Sequence, residues 1–485
     1  MAKQFYTLGE ILAVARHHPL YNTNARYPLS PTEVLSVITA AQSNDNALQE
    51  YRINEKKDMY VNMVREIWYM IQAANHIELS FSVIERLAAD DSPENTFRQS
   101  SYTSVTGGGW SRGIPMLFLT DSAENRRQRE SIGALIEAVG IVQPTDWILN
   151  IHVSGYLYRS LDLLTDALEY AGGTILCAGG DMSAELVTKT LIQYRCNFLT
   201  GPVTELIKLS RHISGLPSDV RSQIRVAKIL YTSEPLFQSQ RDLLMGTFNY
   251  PLIYSGLGSA EAGFWAVSNP QLTEVEDAAT AHDAADFIYD TRTMKVEILT
   301  QSSSDINSPL DQPVAEGSPG AIVLTSLQRL RNPLVRYNSG DIGSLHPLPA
   351  KGKIQITPDV SLHLRLLRIY GRDKQFSFNW GSNYFLYDTV HNVMLTKEFG
   401  ILQWQIVLGW EEGLQGVEFM EVRILRECPS TAKESILPED ELVARIKFSF
   451  LVITNPYFRV VIVNDVNDFE RSGTGRKVTR MVDRR

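Results

Sequence analysis

The chain has 485 residues, 44% of them hydrophobic and 21% charged, with a net charge of −9; that length exceeds one compact core and suggests about three modules, and the acidic balance argues against a nucleic-acid binder, which usually carries a basic face. Cys177, Cys196 and Cys428 stand far apart with no CxxC pair, which excludes a disulfide framework and argues against a zinc cluster. Neither a run of about 18 apolar residues nor a signal-peptide pattern is evident, so a cytoplasmic setting without a membrane span is expected.

The first hundred residues read as mainly helical. Ser30-Pro31-Thr32-Glu33 supplies a cap, a proline in the first turn and an early acid, which together start a helix. Residues 59–76 carry Met59, Met63, Val64, Ile67, Trp68 and Ile71, much of the set at the three- and four-residue spacing of a packed helix. Residues 101–115 read SYTSVTGGGWSRGIP. Thr103, Ser104 and Thr106 stand just before Gly107 and Gly108; such a stretch can curl its N–H groups and hydroxyls around an anion. No Lys-Ser/Thr follows as in a Walker loop, and a plain surface loop has the same composition.

Between residues 133 and 325, helical patterns alternate with short apolar runs at residues 147–151, 173–177, 197–200 and 226–231. Alternating units of this kind predict an α/β domain with largely parallel, buried strands. Several runs end in polar or small residues: His152, Gly201-Pro202, and Ser233-Glu234-Pro235 after Thr232. Ligands of open α/β sheets bind beyond such strand ends. His152 is a candidate pocket residue and equally a hydrogen-bonded structural one. Residues 253–263, IYSGLGSAEAG, open like a strand and place Gly256 and Gly258 around a tight turn, with Glu261 fixed just beyond it. Residues 274–290 are rich in acids and alanine, which predicts a solvated face, and residues 302–313 a polar loop. A strand is predicted at residues 320–325, and residues 334–341 put Asp341 after a glycine at the end of an extended run. An acid there suits ribose hydroxyls or closes an Asx turn.

The run at residues 364–370 leads to a charged turn, Gly371 to Gln375, and the composition then changes. A boundary near Arg372 divides residues 1–371 from a smaller unit, 372–485. The chain ends RSGTGRKVTRMVDRR, and a basic, Gly-containing tail taken alone reads as disordered.

The order of these pieces (hydroxyl-Gly loop, EP turn, GSAE loop, SGD segment, GRDK hinge, terminal G-R-K-x-x-R) resembles the adenylate-forming superfamily of acyl- and aryl-CoA synthetases. Within it the chain looks most like the phenylacetate-CoA ligase branch. The resemblance spans roughly residues 95–485 and implies an α/β fold, with a large multi-sheet N-terminal α/β domain and a small mobile C-terminal α+β lid. It implies ATP phosphates on Thr103, Ser104, Thr106, Gly107 and Gly108, and adenine beside Ser233, Glu234 and Pro235. The next motif is Gly258, Ser259, Ala260 and Glu261, its acid on Mg²⁺. Asp341 would hold the ribose, Arg372 the ribose or phosphate, and Lys477 the α-phosphate and carboxylate. The implied activity joins a carboxylic acid to AMP and then to coenzyme A. An amine or carrier-protein acceptor and a non-catalytic nucleotide-binding homologue are the alternatives. His152, Tyr156, Tyr254 and Gly256 are the expected acid pocket, their aromatic content suggesting an aromatic or arylacetic acid. A homodimer is common in the branch. The chain departs from the family pattern where only Arg112 stands near the missing loop lysine, where Leu257 replaces an aromatic residue, and where Gln375 occupies the hinge.

Overall fold

A computed structural model describes residues 5–41, 48–49, 51, 53, 83–105, 117–155, 157–273, 284–300, 312–349, 356–372, 377–380, 383–413, 417–427, 436–452, 455–471 and 477–485. In chain order its strands begin with a hairpin of β1 (Ser101–Val105) and β2 (Leu117–Asp121). The α/β stretch supplies β3 (Trp147–Asn150), the short pair β4 (Ser154–Gly155) and β5 (Tyr158–Arg159), then β6 (Thr174–Cys177), β7 (Phe198–Pro202), β8 (Lys228–Thr232) and β9 (Leu252–Ser259). Next come β10 (Gly263–Ser268), β11 (Ala285–Asp290), β12 (Met294–Leu299), β13 (Gly320–Ser326), β14 (Tyr337–Pro347) and β15 (Leu364–Arg372). The remainder carries β16 (Ser377–Trp380), β17 (Asn383–Leu386), β18 (Ile401–Trp410), β19 (Glu418–Arg426), β20 (Phe458–Val463) and β21 (Met481–Asp483).

The fold is α/β. Among the described residues an 11-stranded sheet runs β12-β13-β14-β15-β11-β10-β9-β8-β7-β3-β6, and a separate 4-stranded sheet runs β20-β19-β18-β21. The expected parallel pairing holds from β6 to β9, where helices such as Ala184–Gln193 and Val203–Ser214 provide the crossovers. From β9 to β12 neighbours are antiparallel; the tight turn between β9 and β10 allows that pair no other arrangement. Leu149, Leu199, Ile229 and Ile253 pack with the helices on one face of the parallel part, and Ile148, Phe198, Leu230 and Tyr254 on the other. This is the alternation of a doubly covered sheet. The small sheet closes over a core around Trp404, Ile406, Met420 and Phe458.

The N-terminal helices obey their caps. Ser30 and Glu33 form a capping box on Pro31–Ala40, as Thr7 and Glu10 do on Leu8–Ala15. The helix expected at residues 59–76 lies outside the described residues. So do Thr106, Gly107, Gly108, Arg112, Tyr156, residues 302–311 and Gln375.

Four local expectations are corrected. Thr103 and Ser104 belong to strand β1, registered against Leu119 and Phe118, rather than to a loop. Gly256 and Gly258 lie inside β9; a side chain at Gly256 would meet Phe264 and Thr232, and one at Gly258 the Gly263 carbonyl. These glycines admit the β10 hairpin, not a turn. Residues 285–290 form an inner strand with Phe287, Ile288 and Tyr289 buried; the flanking Asp286 and Asp290, both ion-paired, disguised it. The terminal tail is ordered where described, since Met481–Asp483 pairs in parallel with β18 at Ile406, Val407 and Leu408.

Candidate active site

Strand order reverses at β3, whose neighbours β6 and β7 both follow it in sequence. The carboxyl edge beside such a strand opens into a crevice. His152 emerges there. Its N–H donates to Asn150 Oδ1 at 3.0 Å, and Asn150 Nδ2 donates to Leu161 O and Thr165 Oγ1, both at 3.1 Å. The imidazole is fully buried, and no protein group hydrogen-bonds either ring nitrogen among the described residues. Burial, reinforced by the Lys477 charge, lowers its pKa to about 3, so His152 is neutral near pH 7.

The segment after β8 turns sharply at Ser233, whose φ is +80°. Its hydroxyl lies 3.1 Å from Thr232 Oγ1. Glu234 accepts from Thr204 N and Thr204 Oγ1, both at 2.8 Å. It therefore caps the first turn of helix Val203–Ser214, whose own N-cap residue, Pro202, makes no side-chain cap bond. Pro235 is exposed beside it.

Lys477 reaches this edge from the far end of the chain. Its Nζ lies 5.7 Å from the Tyr158 ring centroid. Burial acts to raise the Tyr158 pKa, but the Lys477 charge and the neighbouring Ser233 and Ser160 side chains outweigh it and leave the phenol below its ordinary value. Contacts between the two sheets hold the tail here. Arg480 is half-buried between the Phe237 and Trp404 rings, with centroids 4.8 and 4.9 Å from its Cζ, and donates to Trp404 O at 2.9 Å. Its pKa is lowered by burial, against the opposing charges of Tyr387 and Glu234. Gln403 Nε2 donates to Thr204 Oγ1 at 3.3 Å, Arg471 pairs with Glu205 at 3.0 Å, and Arg211 donates to Asn464 O at 2.6 Å. Ser239 and Gln240 add donors to the Ile401 and Leu402 carbonyls.

Glu261 occupies the turn between β9 and β10 and is buried. Ser259 Oγ accepts from Ala262 N at 3.0 Å, and Gln128 Nε2 donates to Ala262 O at 3.1 Å. Arg329 donates to the Glu261 main-chain carbonyl. Burial brings the Arg329 pKa down to about 10, while the charges of Glu124, Glu261 and Tyr21 oppose the fall. Gly258 and Ser259 are exposed at the same edge, and Ser104 Oγ donates to Ala260 O at 3.4 Å, which brings the hydroxyl-bearing hairpin to the turn. No group of three or more His, Cys, Asp or Glu side chains converges among the described residues. A magnesium ion takes one or two carboxylates and completes its shell with water and phosphate oxygens, so a single carboxylate beside a nucleotide fits its donor needs.

Asp341 and Arg372 face each other in the β14–β15 register. Strands β15, β11 and β10 separate β14 from β9, so these two form a second group on the sheet. Gly371, beside Arg372, has a φ of +128° and open space around it. Tyr254 does not line a pocket: it is buried in the core, its ring 6.2 Å from Phe198. Gly256 has its space filled by Phe264 and Thr232. The residues that sequence reasoning missed are Tyr158, Thr204, Arg329 and the anchoring use of Arg480. Tyr158 carried one legible signal, an aromatic residue in the polar stretch just after a strand end.

Structures of 2-hydroxyisobutyryl-CoA ligase share this architecture. The postadenylation state in complex with 2-HIB-AMP matches with a TM-score of 0.61 and 16% identity over 98% of this chain and 87% of that one. This chain has the adenylate-forming fold. The same ligase in its thioesterification state, with 2-HIB-AMP and CoA, gives a TM-score of 0.51 at 15% identity over 98% and 87% of the two chains. Its open form gives 0.50 at 16% identity over 98% and 89%. No family model and no curated protein matches the sequence. No helix among the described residues is long and apolar enough to cross a membrane.

Proposed function

We propose that the chain is an ATP-dependent, AMP-forming carboxylic acid ligase that makes an acyl-adenylate and then passes the acyl group to coenzyme A. The observation that carries this reading is the Lys477 ammonium at the carboxyl edge, against Tyr158 and close enough to His152 to depress its pKa. Attack of a carboxylate on an α-phosphate drives negative oxygens together, and a fixed cation stabilises the charge that builds there. Lysine delivers a compact charge to one oxygen. Carboxylate oxygen bonds to the α-phosphorus as the bond to pyrophosphate breaks.

Support for the nucleotide site comes from Ser104 beside Ala260, the exposed Gly258 and Ser259, and the Glu261 turn. Thr103, Thr106, Gly107 and Gly108 are proposed to contact the phosphates, Asp341 and Arg372 the ribose, and Glu261 a magnesium ion that would offset phosphate charge. Ser233 and Pro235 remain the proposed adenine neighbours, with Glu234 holding that turn through its helix cap. Gly371 is the proposed joint between units of residues 1–371 and 372–485, its positive φ suiting a pivot. His152 is the proposed acid-pocket residue. With Tyr254 in the core, the aromatic-acid expectation loses one of its supports.

Pyrophosphate exchange across a panel of carboxylic acids tests the first step, and mass spectrometry of products with coenzyme A or with amines tests the acceptor. Acid-dependent exchange lost in Lys477→Ala is expected, with an acyl-CoA product. Amide products instead would move the assignment to an amide ligase. Nucleotide binding with background exchange for every acid would leave a non-catalytic homologue.

A further inference from the structure

We propose that Arg329 and Gln128 are positioning residues for Glu261: together they clamp the main chain of its turn, so that the carboxylate meets a nucleotide-bound magnesium ion in one fixed place. The inference rests on the ligase reading above and adds to it two residues outside the motifs that suggested that reading.

Three successive carbonyls in the turn between β9 and β10 are each taken by a side chain from a different element. Ser104, on β1, donates to Ala260 O at 3.4 Å, with Phe118 O at the same distance. Arg329, between β13 and β14, donates to Glu261 O. Gln128, on helix Ser122–Ala138, donates to Ala262 O at 3.1 Å. The Ala262 N–H is taken by Ser259 Oγ. A hairpin turn at a sheet edge ordinarily leaves such groups to water. Gln128 and Arg329 are both buried, and they also meet each other, Nη2 to Oε1 at 3.5 Å. Gly263 shows how close the fit is: its φ is +78°, and a Cβ there would lie 2.6 Å from Gln128 Oε1.

Helical register holds the pair in turn. Glu124, Gln128 and Ser131 stand at i, i+4 and i+7, on one buried face of their helix. Glu124 Oε1 accepts from Leu330 N at 3.0 Å, Gln128 meets Arg329, and Ser131 Oγ accepts from Gln328 Nε2 at 2.7 Å. Residues 328–330 thus run along that face in the reverse direction, each engaged by a successive helical position, and Arg329 is delivered to the turn between two fixed neighbours. Its charge interacts with both Glu124 and Glu261. One guanidinium therefore offsets a buried carboxylate and fixes the backbone that carries it. Magnesium demands near-octahedral geometry, and groups that orient a metal ligand are worth about 10–100-fold in affinity. A turn held at every carbonyl supplies that orientation before the ion arrives.

The test uses the full chain and two variants, so that one remains if the other fails to fold, as judged by thermal unfolding. Gln128→Leu removes the bonds to Ala262 and Arg329 at nearly constant volume, and Arg329→Lys keeps the charge but loses the guanidinium fork. The first readout needs no ligand: amide hydrogen exchange followed by mass spectrometry. Peptides covering residues 257–264 should exchange severalfold faster in either variant, while those of β7 and β8 keep the parent rate. The second readout is binding of Mn²⁺·ATP, measured by the Mn²⁺ electron paramagnetic resonance signal. Affinity should fall about tenfold, with ATP binding in the presence of EDTA within about twofold of the parent. Exchange that is unchanged at the turn, or that rises equally throughout the chain, overturns the proposal. So does a loosened turn with Mn²⁺·ATP binding unchanged, provided that Glu261→Gln itself weakens that binding. Should Glu261→Gln leave it unchanged as well, the loosened turn would retain the clamp and reject the metal role of Glu261 in the ligase reading instead.

Discussion

Arg480 holds its guanidinium 4.8 Å from the Phe237 ring centroid and so fastens the end of the chain to the segment that follows β8. Two aromatic rings and the Trp404 carbonyl surround a half-buried cation. The arrangement makes the position of Lys477, three residues earlier, depend on packing rather than on a disordered tail finding its target.

Arg480→Ala should therefore destabilise the protein by about 3 kcal/mol, from one charged hydrogen bond and two cation–π contacts. It should also raise the rate of reductive methylation at Lys477, since the tail loses its anchor. Thermal unfolding and peptide mass spectrometry measure the two effects. Arg480→Lys should recover only part of the loss, because an ammonium cannot lie flat between two rings as a guanidinium does.

Glu234 offers a contrast between motif and structure. Its carboxylate caps helix Val203–Ser214 through Thr204, so Glu234→Ala should cost about 1–2 kcal/mol of stability, the usual range for a lost cap. Thr204→Val removes one of the same bonds and should cost less. The two losses should not add in the double variant, because both remove one interaction; urea unfolding of the four proteins checks this.

Glu124 predicts a pH dependence. Burial raises its pKa from 4.5 to about 7, a rise that Asp121 reinforces and the Leu330 N–H opposes. A carboxyl raised in the folded state is bound to its proton more tightly there than in the unfolded chain. Its stabilising contribution is whole below about pH 4.5 and is lost as pH rises through about 7. Glu124→Gln carries no such titration. Relative to the parent, the variant should gain about 3 kcal/mol between pH 4.5 and pH 8, read as a crossing of the two melting-temperature curves.

The glycines of β9 should differ from each other. Alanine at Gly256 places its Cβ 2.9 Å from Phe264 Cε2 and 2.9 Å from Thr232 Cγ2, side-chain atoms that can shift. At Gly258 the clash is with the Gly263 main-chain oxygen at 2.7 Å, which belongs to the turn carrying Glu261. Gly256→Ala should cost about 1–2 kcal/mol, as overpacking does, and Gly258→Ala more, with displacement of the Glu261 turn. Calorimetry ranks the two.

Local pattern carried much of this protein. Runs of apolar residues at 147–151, 173–177, 197–200 and 226–231 became β3, β6, β7 and β8, and the period of the intervening segments became their helices. A strand or helix buries its own face, so its signal lies within a few neighbouring residues. The order of short motifs likewise pointed to the adenylate-forming architecture before any coordinate was known. What a residue does across the fold had no such local trace. Asp286 and Asp290 read as a solvated face until Arg368 and Arg292 paired with them. Tyr254 and His152 both looked like pocket residues. One packs on Phe198, and the other lies at the edge that Lys477 reaches. The tail looked free because its partners, Trp404 and Phe237, are distant in sequence. Side-chain meetings between far segments are set by topology and close packing. For that reason the elements were legible in the sequence, while the Tyr158–Lys477 contact and the use of Glu234 as a cap were decided only when the sheets came together.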